Sequence, residues 1–210
     1  CILQTLGSEG VYLSDTDPSA VDAGVNFDTD GTAEAVAVSG HNAYVADTHN
    51  GIVVLTMTDT NTPTPTLSET KTVPTISNAL DIAVSGNNVL VADGWNGVAI
   101  YDVTNKSLPL FIDRYKVVDG YATTLAVTGT TVYVGYDDEG VYKIDASTPT
   151  NLTVTNSDNT LDNVQHVSLA GTDVLVSIDD SMGGGGVYVK NAALTNLGNV
   201  TGFPAHQTVY

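Results

Sequence analysis

One phrase recurs along this chain: GHNAYVADTHNG over 40–51, GNNVLVADGWNG over 86–97 and GTTVYVGYDDEG over 129–140. Each copy runs from glycine to glycine over the same length, with an apolar run before it and another after it. Reuse of one supersecondary unit at a fixed period means that no copy buries its apolar face alone, so the copies must stack around a common core. A fourth copy with a longer turn, GTDVLVSIDDSMGGGG, occupies 171–186, and a partial one, CILQTLGSEG, opens the chain at 1–10. Aligned on the second glycine (Gly10, Gly51, Gly97, Gly140 and Gly186), the copies are spaced 41, 46, 43 and 46 residues apart.

The runs themselves read as strands. After the aligned glycines come VYLSD, IVVLT, VAIYD, VYKID and VYVKN, and before the full copies come 35–38, 82–84, 125–127 and 167–169. These are short, rich in β-branched residues and bounded by Gly, Asn and Asp, too short for helices and apolar on both faces. Asp and Gly in ADTHNG and ADGWNG tolerate the positive φ of a tight turn, so each phrase ends in a hairpin. More polar outer strands are expected near 70–73, 111–117, 152–156 and 198–202. Four strands per period suit a propeller blade, and the spacing divides the 210 residues into five units. The expected fold is therefore all-β: a single five-bladed β-propeller, with blades near 31–76, 77–119, 120–162 and 163–205 and one blade shared between the ends.

In that shared blade, 206–210 reads like a first strand and 1–6 like a second that leads into VYLSD, the whole blade covering 1–30. Counted circularly, Gly186 to Gly10 spans 34 residues, shorter than the other spacings, as expected when the turn between first and second strands is missing. Pairing within one molecule hides both edges. Donation of the same strand to the next molecule would propagate a fibre.

Charge narrows the partners. Twenty-four acidic residues against six basic ones give a net charge of −18, and such a field opposes DNA, RNA and anionic lipid, so no nucleic acid is expected. The longest strongly apolar stretch, 52–57, is far too short for a transmembrane segment, and no signal-peptide pattern opens the chain. The single cysteine, Cys1, excludes an internal disulfide. Its position at the first residue is that of a lipid-anchored cysteine, but Ile2-Leu3 follows with no flexible spacer, which disfavours the anchor.

The string of apolar strand, Ala-Asp, Gly, two variable residues, Gly, apolar strand and Asp, seen best in VLVADGWNGVAIYDVTNKSLP over 89–109, resembles the LVIVD-repeat β-propellers of bacterial and archaeal surface proteins. The resemblance covers nearly the whole chain. It implies an extracellular or cell-surface location and brings no shared catalytic residue. Departures occur at Tyr136, which replaces the hairpin Asp, and at Thr56 and Asn191, which replace the Asp ending the third strand; the Asp positions thus read mainly as turn caps.

No Gly-x-Ser-x-Gly elbow, His-Glu-x-x-His helix, phosphate-binding glycine loop or paired-cysteine site is present. In a propeller, the hairpin tips and the connections into the first strands share one face. Asp47, Asp93, Asp137, Asp179, Asp28, Asp30, Asp119 and Asp162 fall on such segments. Gathered, they would bind Ca²⁺ or supply a glycosidase pair; as turn caps, they would do neither. The sharpest calcium candidate is Asp28-Thr29-Asp30-Gly31 with Glu34 downstream, since alternating carboxylates before a glycine begin a calcium loop.

Four histidines, His41, His49, His166 and His206, are scattered. His49 and the lone tryptophan, Trp95, occupy hairpin tips and are the candidate ligand-binding residues. An exposed indole stacks on a sugar or fills a partner's pocket; one packed on a neighbouring hairpin does neither. Sequons at Asn105, Asn151 and Asn199 lie in turn-rich outer segments as candidate glycosylation sites, and the Thr- and Pro-rich stretch 58–75 reads as an extended connection open to O-glycosylation. The expected function is a non-enzymatic surface module making structural or adhesive contacts with protein, or with itself in a fibre. The alternative is a carbohydrate-active propeller, a lectin of surface glycans or a glycoside hydrolase using clustered carboxylates. The tips Ser8-Glu9, His49-Asn50, Trp95-Asn96 and Asp138-Glu139 differ from one another, which argues against a set of identical sugar sites.

Overall fold

The computed structural model of the protein describes residues 2–14, 24–58, 66–179 and 185–201. Five sheets follow one another along the chain. The first holds β1 (Ile2–Thr5), β2 (Val11–Ser14) and β3 (Val25–Phe27); the second holds β4 (Ala35–Ser39), β5 (Asn42–Ala46), β6 (Ile52–Thr58) and β7 (Thr66–Val73). The third comprises β8 (Asp81–Ser85), β9 (Asn88–Ala92), β10 (Val98–Asp102) and β11 (Leu110–Tyr115). The fourth comprises β12 (Ala122–Thr128), β13 (Thr131–Tyr136), β14 (Gly140–Asp145) and β15 (Thr153–Asp158), and the fifth β16 (Val164–Ala170), β17 (Asp173–Ile178), β18 (Gly186–Lys190) and β19 (Asn196–Thr201). Within each sheet, neighbours in sequence are neighbours in space. Among the described residues no helix is long and apolar enough to cross a membrane.

The chain divides into two compact units, Cys1–Asp93 with Ile100–Phe111, and Gly94–Ala99 with Ile112–Tyr210. The first has a core in which Val11, Ala33, Ala43, Val45, Val53 and Leu55 are all buried, drawn from the middle strands and the strand entries. The second packs Val141, Val164, Val167, Val174 and Val176 in the same manner. Valine and alanine recur in the middle strands, and longer side chains such as Tyr44, Leu55, Leu90 and Tyr136 are also fully buried there, so large and small residues fill the space together.

The outer strands follow a different logic. β7, β11 and β15 mix exposed and partly buried residues without regular alternation, and their limits depart from the expected 70–73, 111–117 and 152–156. β7 starts at Thr66, so half of the Thr-rich stretch is strand; β11 stops at Tyr115 because 117–120 is a turn; β15 extends to Asp158. β19 spans Asn196–Thr201 rather than 198–202. A register shift recurs at one point of the repeat, at Val54/Leu55, Lys143/Ile144 and Val189/Lys190, and bends the third strand against the outer one.

Two glycines per phrase have different reasons. At Gly40 φ is +59° and a Cβ would meet nothing within 4 Å, so only the backbone conformation asks for glycine. At Gly51 φ is +87° and a Cβ would lie 2.3 Å from the Val73 carbonyl oxygen, so the outer strand leaves no room for a side chain.

The hairpin aspartates hold the loop that enters their own sheet. Asp47 is fully buried; its Oδ1 accepts from the Thr29 hydroxyl at 2.7 Å, and its Oδ2 from the Gly31 N–H and the Asn50 amide, both at 2.9 Å. Asp93, equally buried, accepts from the backbone N–H groups of Ile76 (3.2 Å) and Ser77 (3.1 Å). The same offset along the chain, 16 residues, separates Gly31 from Asp47 and Ser77 from Asp93. These carboxylates are turn and loop clamps, which a charge buried without such donors could not be.

Successive repeats are joined through the backbone. Gly7 O accepts from Ala33 N (3.0 Å), Thr48 exchanges two bonds with Ala79 (2.9 and 3.0 Å), Gly94 O accepts from Ala122 N (3.0 Å) and Asp137 O from Val164 N (2.9 Å). Each bond ties a hairpin tip to the entry of the following sheet. The expected pairing of 206–210 with 1–6 lies outside the described residues, as do Cys1, His206 and 59–65 of the Thr-rich stretch.

Candidate binding platform

Trp95 stands at the tip of a hairpin that is fixed on both sides. Gly97 N donates to Gly94 O at 3.0 Å and Gly94 is bridged to Ala122. Asn96 points inward, 6 % exposed, with its Oδ1 receiving Arg114 Nη1 at 2.5 Å. Trp95 is left as the outward residue, 59 % exposed. Its ring meets that of Tyr121 edge to face, with centroids 4.9 Å apart at 66°, a geometry favoured by the ring quadrupoles.

Tyr121 is brought there by a loop that departs from the other repeats. Where Asp47 and Asp93 clamp their loops, Tyr136 stands at the corresponding position, fully buried. It offers no carboxylate to collect N–H groups. Its hydroxyl donates instead to the Tyr115 carbonyl at 3.3 Å, and Gly120 packs against its ring so closely that a Cβ there would lie 2.9 Å from Cδ1. Burial, then the neighbouring hydroxyls of Tyr115 and Tyr142, push the Tyr136 pKa well above the ordinary tyrosine value. The loop closes on itself as a turn, Gly120 N to Val117 O at 3.2 Å, with Asp119 at φ +60°. Val118 occupies the place of Thr29, which is buried in its own loop and bonded to Asp47; valine has no hydroxyl to make such a bond, and Val118 is 81 % exposed. Trp95 and Tyr121 thus form a small aromatic platform, and Val118 is exposed on the loop three residues before Tyr121.

The other expected site residues are placed as follows. His49 is exposed, its Nδ1 3.3 Å from Thr48 Oγ1. Asp28, Asp30 and Glu34 are exposed, and among the described residues no three His, Cys, Asp or Glu side chains are gathered as a metal site. In the Asp-Thr-Asp-Gly stretch it is the alternate residues, Thr29 and Gly31, that turn inward to Asp47. His166 is an exposed residue of β16, and its Nδ1 lies 3.5 Å from Thr124 Oγ1. Asn105, Asn151 and Asn199 are all exposed, and Asn105 Oδ1 accepts from Ser107 N at 3.1 Å within its sequon. Tyr121 and Val118 were not singled out by sequence; the signal available was the replacement of the hairpin Asp by Tyr136, which marks the loop that differs.

The protein is similar in fold to several solved structures. A functionally unknown protein from Desulfotomaculum acetoxidans superposes with a TM-score of 0.76 at 14 % identity, over 96 % of this chain and 67 % of that one. A protein from Lactobacillus plantarum gives 0.70 at 17 %, over 97 % and 66 %. The WD40 β-propeller domain of Doa1 gives 0.71 at 9 %, over 94 % and 63 %. The chain therefore spans about two thirds of each of these three chains, and the likeness establishes a β-propeller fold. No curated protein matches the sequence significantly. The LVIVD repeat model matches at 30–70, 77–117 and 119–160, more than half of the chain, and the protein belongs to the LVIVD-repeat family.

Proposed function

We propose that this chain is a non-enzymatic β-propeller of the extracellular space or cell surface that makes structural or adhesive protein contacts through the platform around Trp95. The observation that carries the reading is the pairing of a largely exposed indole with a hairpin held at both ends. A side chain already fixed in place loses little freedom when a partner covers it, and central aromatic residues of this kind dominate contact energies. The commitment of the Asp47 and Asp93 carboxylates to loop N–H and hydroxyl donors favours the same reading over acid–base chemistry at those positions.

The scaffold we infer is a five-bladed ring whose first blade is completed by 206–210. Three described strands in the first sheet, against four in each of the others, support it. Side-to-side or strand-exchange assembly into a fibre would use the same scaffold.

A photo-cross-linking amino acid placed at position 95, with position 49 as the control tip, tests the contact on intact cells of the source organism. A discrete cross-linked protein at 95 and none at 49 is expected. No cross-link at 95, or equal ones at both tips, overturns the proposal.

A further inference from the structure

The platform is rimmed by negative charge. Asp119, two residues before Tyr121, is exposed. The Asp137 N–H donates to the Tyr121 carbonyl at 2.9 Å, which brings the next hairpin tip, Asp137-Asp138-Glu139, beside the aromatic pair. Asp138 is exposed, while Asp137 and Glu139 are partly buried. Burial first, and the neighbouring Asp138 second, raise the Asp137 pKa above the ordinary carboxylate value. Of the nearby cations, Arg114 is turned to Asn96 beneath the hairpin, and Lys116 lies beside Gly97 on the backbone that Tyr115 leads into.

We propose that this platform takes a lysine- or arginine-bearing segment of a protein partner, with the cationic group over the Trp95 ring and the Asp119 and Asp137-Asp138-Glu139 carboxylates around it. The inference rests on the platform being a contact surface and adds the charge of what it contacts. Tryptophan is the best aromatic partner for a cation, because its face is the negative end of the ring quadrupole. Surrounding carboxylates add Coulombic attraction, and a chain of net charge −18 steers a cationic partner inward from a distance. A neutral sugar on the same indole would leave the clustered carboxylates uncompensated.

Hexalysine titrated into the full chain tests this, followed by calorimetry and by the fluorescence of Trp95, the single tryptophan of the sequence. Saturable binding is expected, weakened about fivefold or more by Trp95→Ala and by the pair Asp138→Asn with Glu139→Gln. The pair Asp28→Asn with Asp30→Asn removes equal charge from a loop of the other unit and is expected to leave binding unchanged. Binding indifferent to Trp95→Ala, or weakened as much by the 28/30 pair as by the 138/139 pair, overturns the proposal in favour of diffuse attraction to a polyanion. Absence of hexalysine binding also overturns it. If position 95 still cross-links specifically on cells, the contact reading survives that loss; if it does not, both fall.

Discussion

Thr29 donates its hydroxyl to Asp47 across 18 residues of sequence, 2.7 Å from oxygen to oxygen and out of reach of solvent. Together with Gly31 N and Asn50 Nδ2, it satisfies a carboxylate that would otherwise be stranded in the interior. Asp47→Ala removes the acceptor and leaves three donors facing an apolar gap. We expect a loss of about 2–4 kcal/mol in chemical denaturation. A loss below about 0.5 kcal/mol would show that the clamp is not a stability element.

Gly51 and Gly40 separate steric need from conformational need. Gly40→Ala should cost about 1–2 kcal/mol, the penalty for a side chain in the left-handed region. Gly51→Ala adds a collision with the Val73 carbonyl and is expected to cost about 3 kcal/mol or more. Equal losses in thermal or denaturant melts would contradict the close approach.

Lys190 and Asp158 form an ion pair with 2 % and 14 % of their side chains exposed. Burial alone would raise the Asp158 pKa, but bonds from Lys190 and Thr160 outweigh it and hold the carboxyl below its ordinary 3.8. A depressed folded pKa means that its contribution is present above pH 3.8 and is lost as pH falls through the lower folded value. Lys190→Met should cost about 3–5 kcal/mol at neutral pH, because Asp158 is left unpaired. The variant should also lack this component of acid destabilisation. An unchanged acid limb relative to the parent chain would assign that limb to other carboxylates.

Tyr136 produces the opposite limb. Its folded pKa is raised above the ordinary 10.0 by burial and by Tyr115 and Tyr142, so the neutral phenol is the native form. Its contribution is complete below pH 10.0 and is lost as pH rises from there toward the folded value. Tyr136→Phe is expected to flatten the alkaline decline while costing about 0.5–1.5 kcal/mol at neutral pH through the lost bond to Tyr115 O. A decline as steep in Tyr136→Phe as in the parent would point to another tyrosine.

Much of the fold was legible because the middle strands carry a repeated apolar signature. The phrases at 40–51, 86–97 and 129–140 locate β5, β9 and β13 and the turns after them to within a residue or two. Outer strands were less legible because one edge and much of both faces meet water, which leaves no apolar alternation to mark their ends; β7 begins four residues before the expected start. At the platform, Trp95 was visible as a lone indole between turn residues. Tyr121 was not, because its nearness depends on the Gly94–Ala122 bridge between two repeats. Asp28 and Asp30 were legible as alternating carboxylates before a glycine, but the bonds that shape their loop were not. The carboxylate that organises that loop, Asp47, comes from the following hairpin.

The joints between successive sheets pass through carbonyls and N–H groups at Gly7, Thr48, Gly94 and Asp137, which every amino acid but proline supplies alike. Side chains at the tips, His49 in one repeat, Trp95 in the next and Asp138 in the third, are thereby released from holding the architecture together. Such tips form a natural library, in which recognition can drift from one descendant to another, or be rewritten in the laboratory, while the framework beneath keeps its strength.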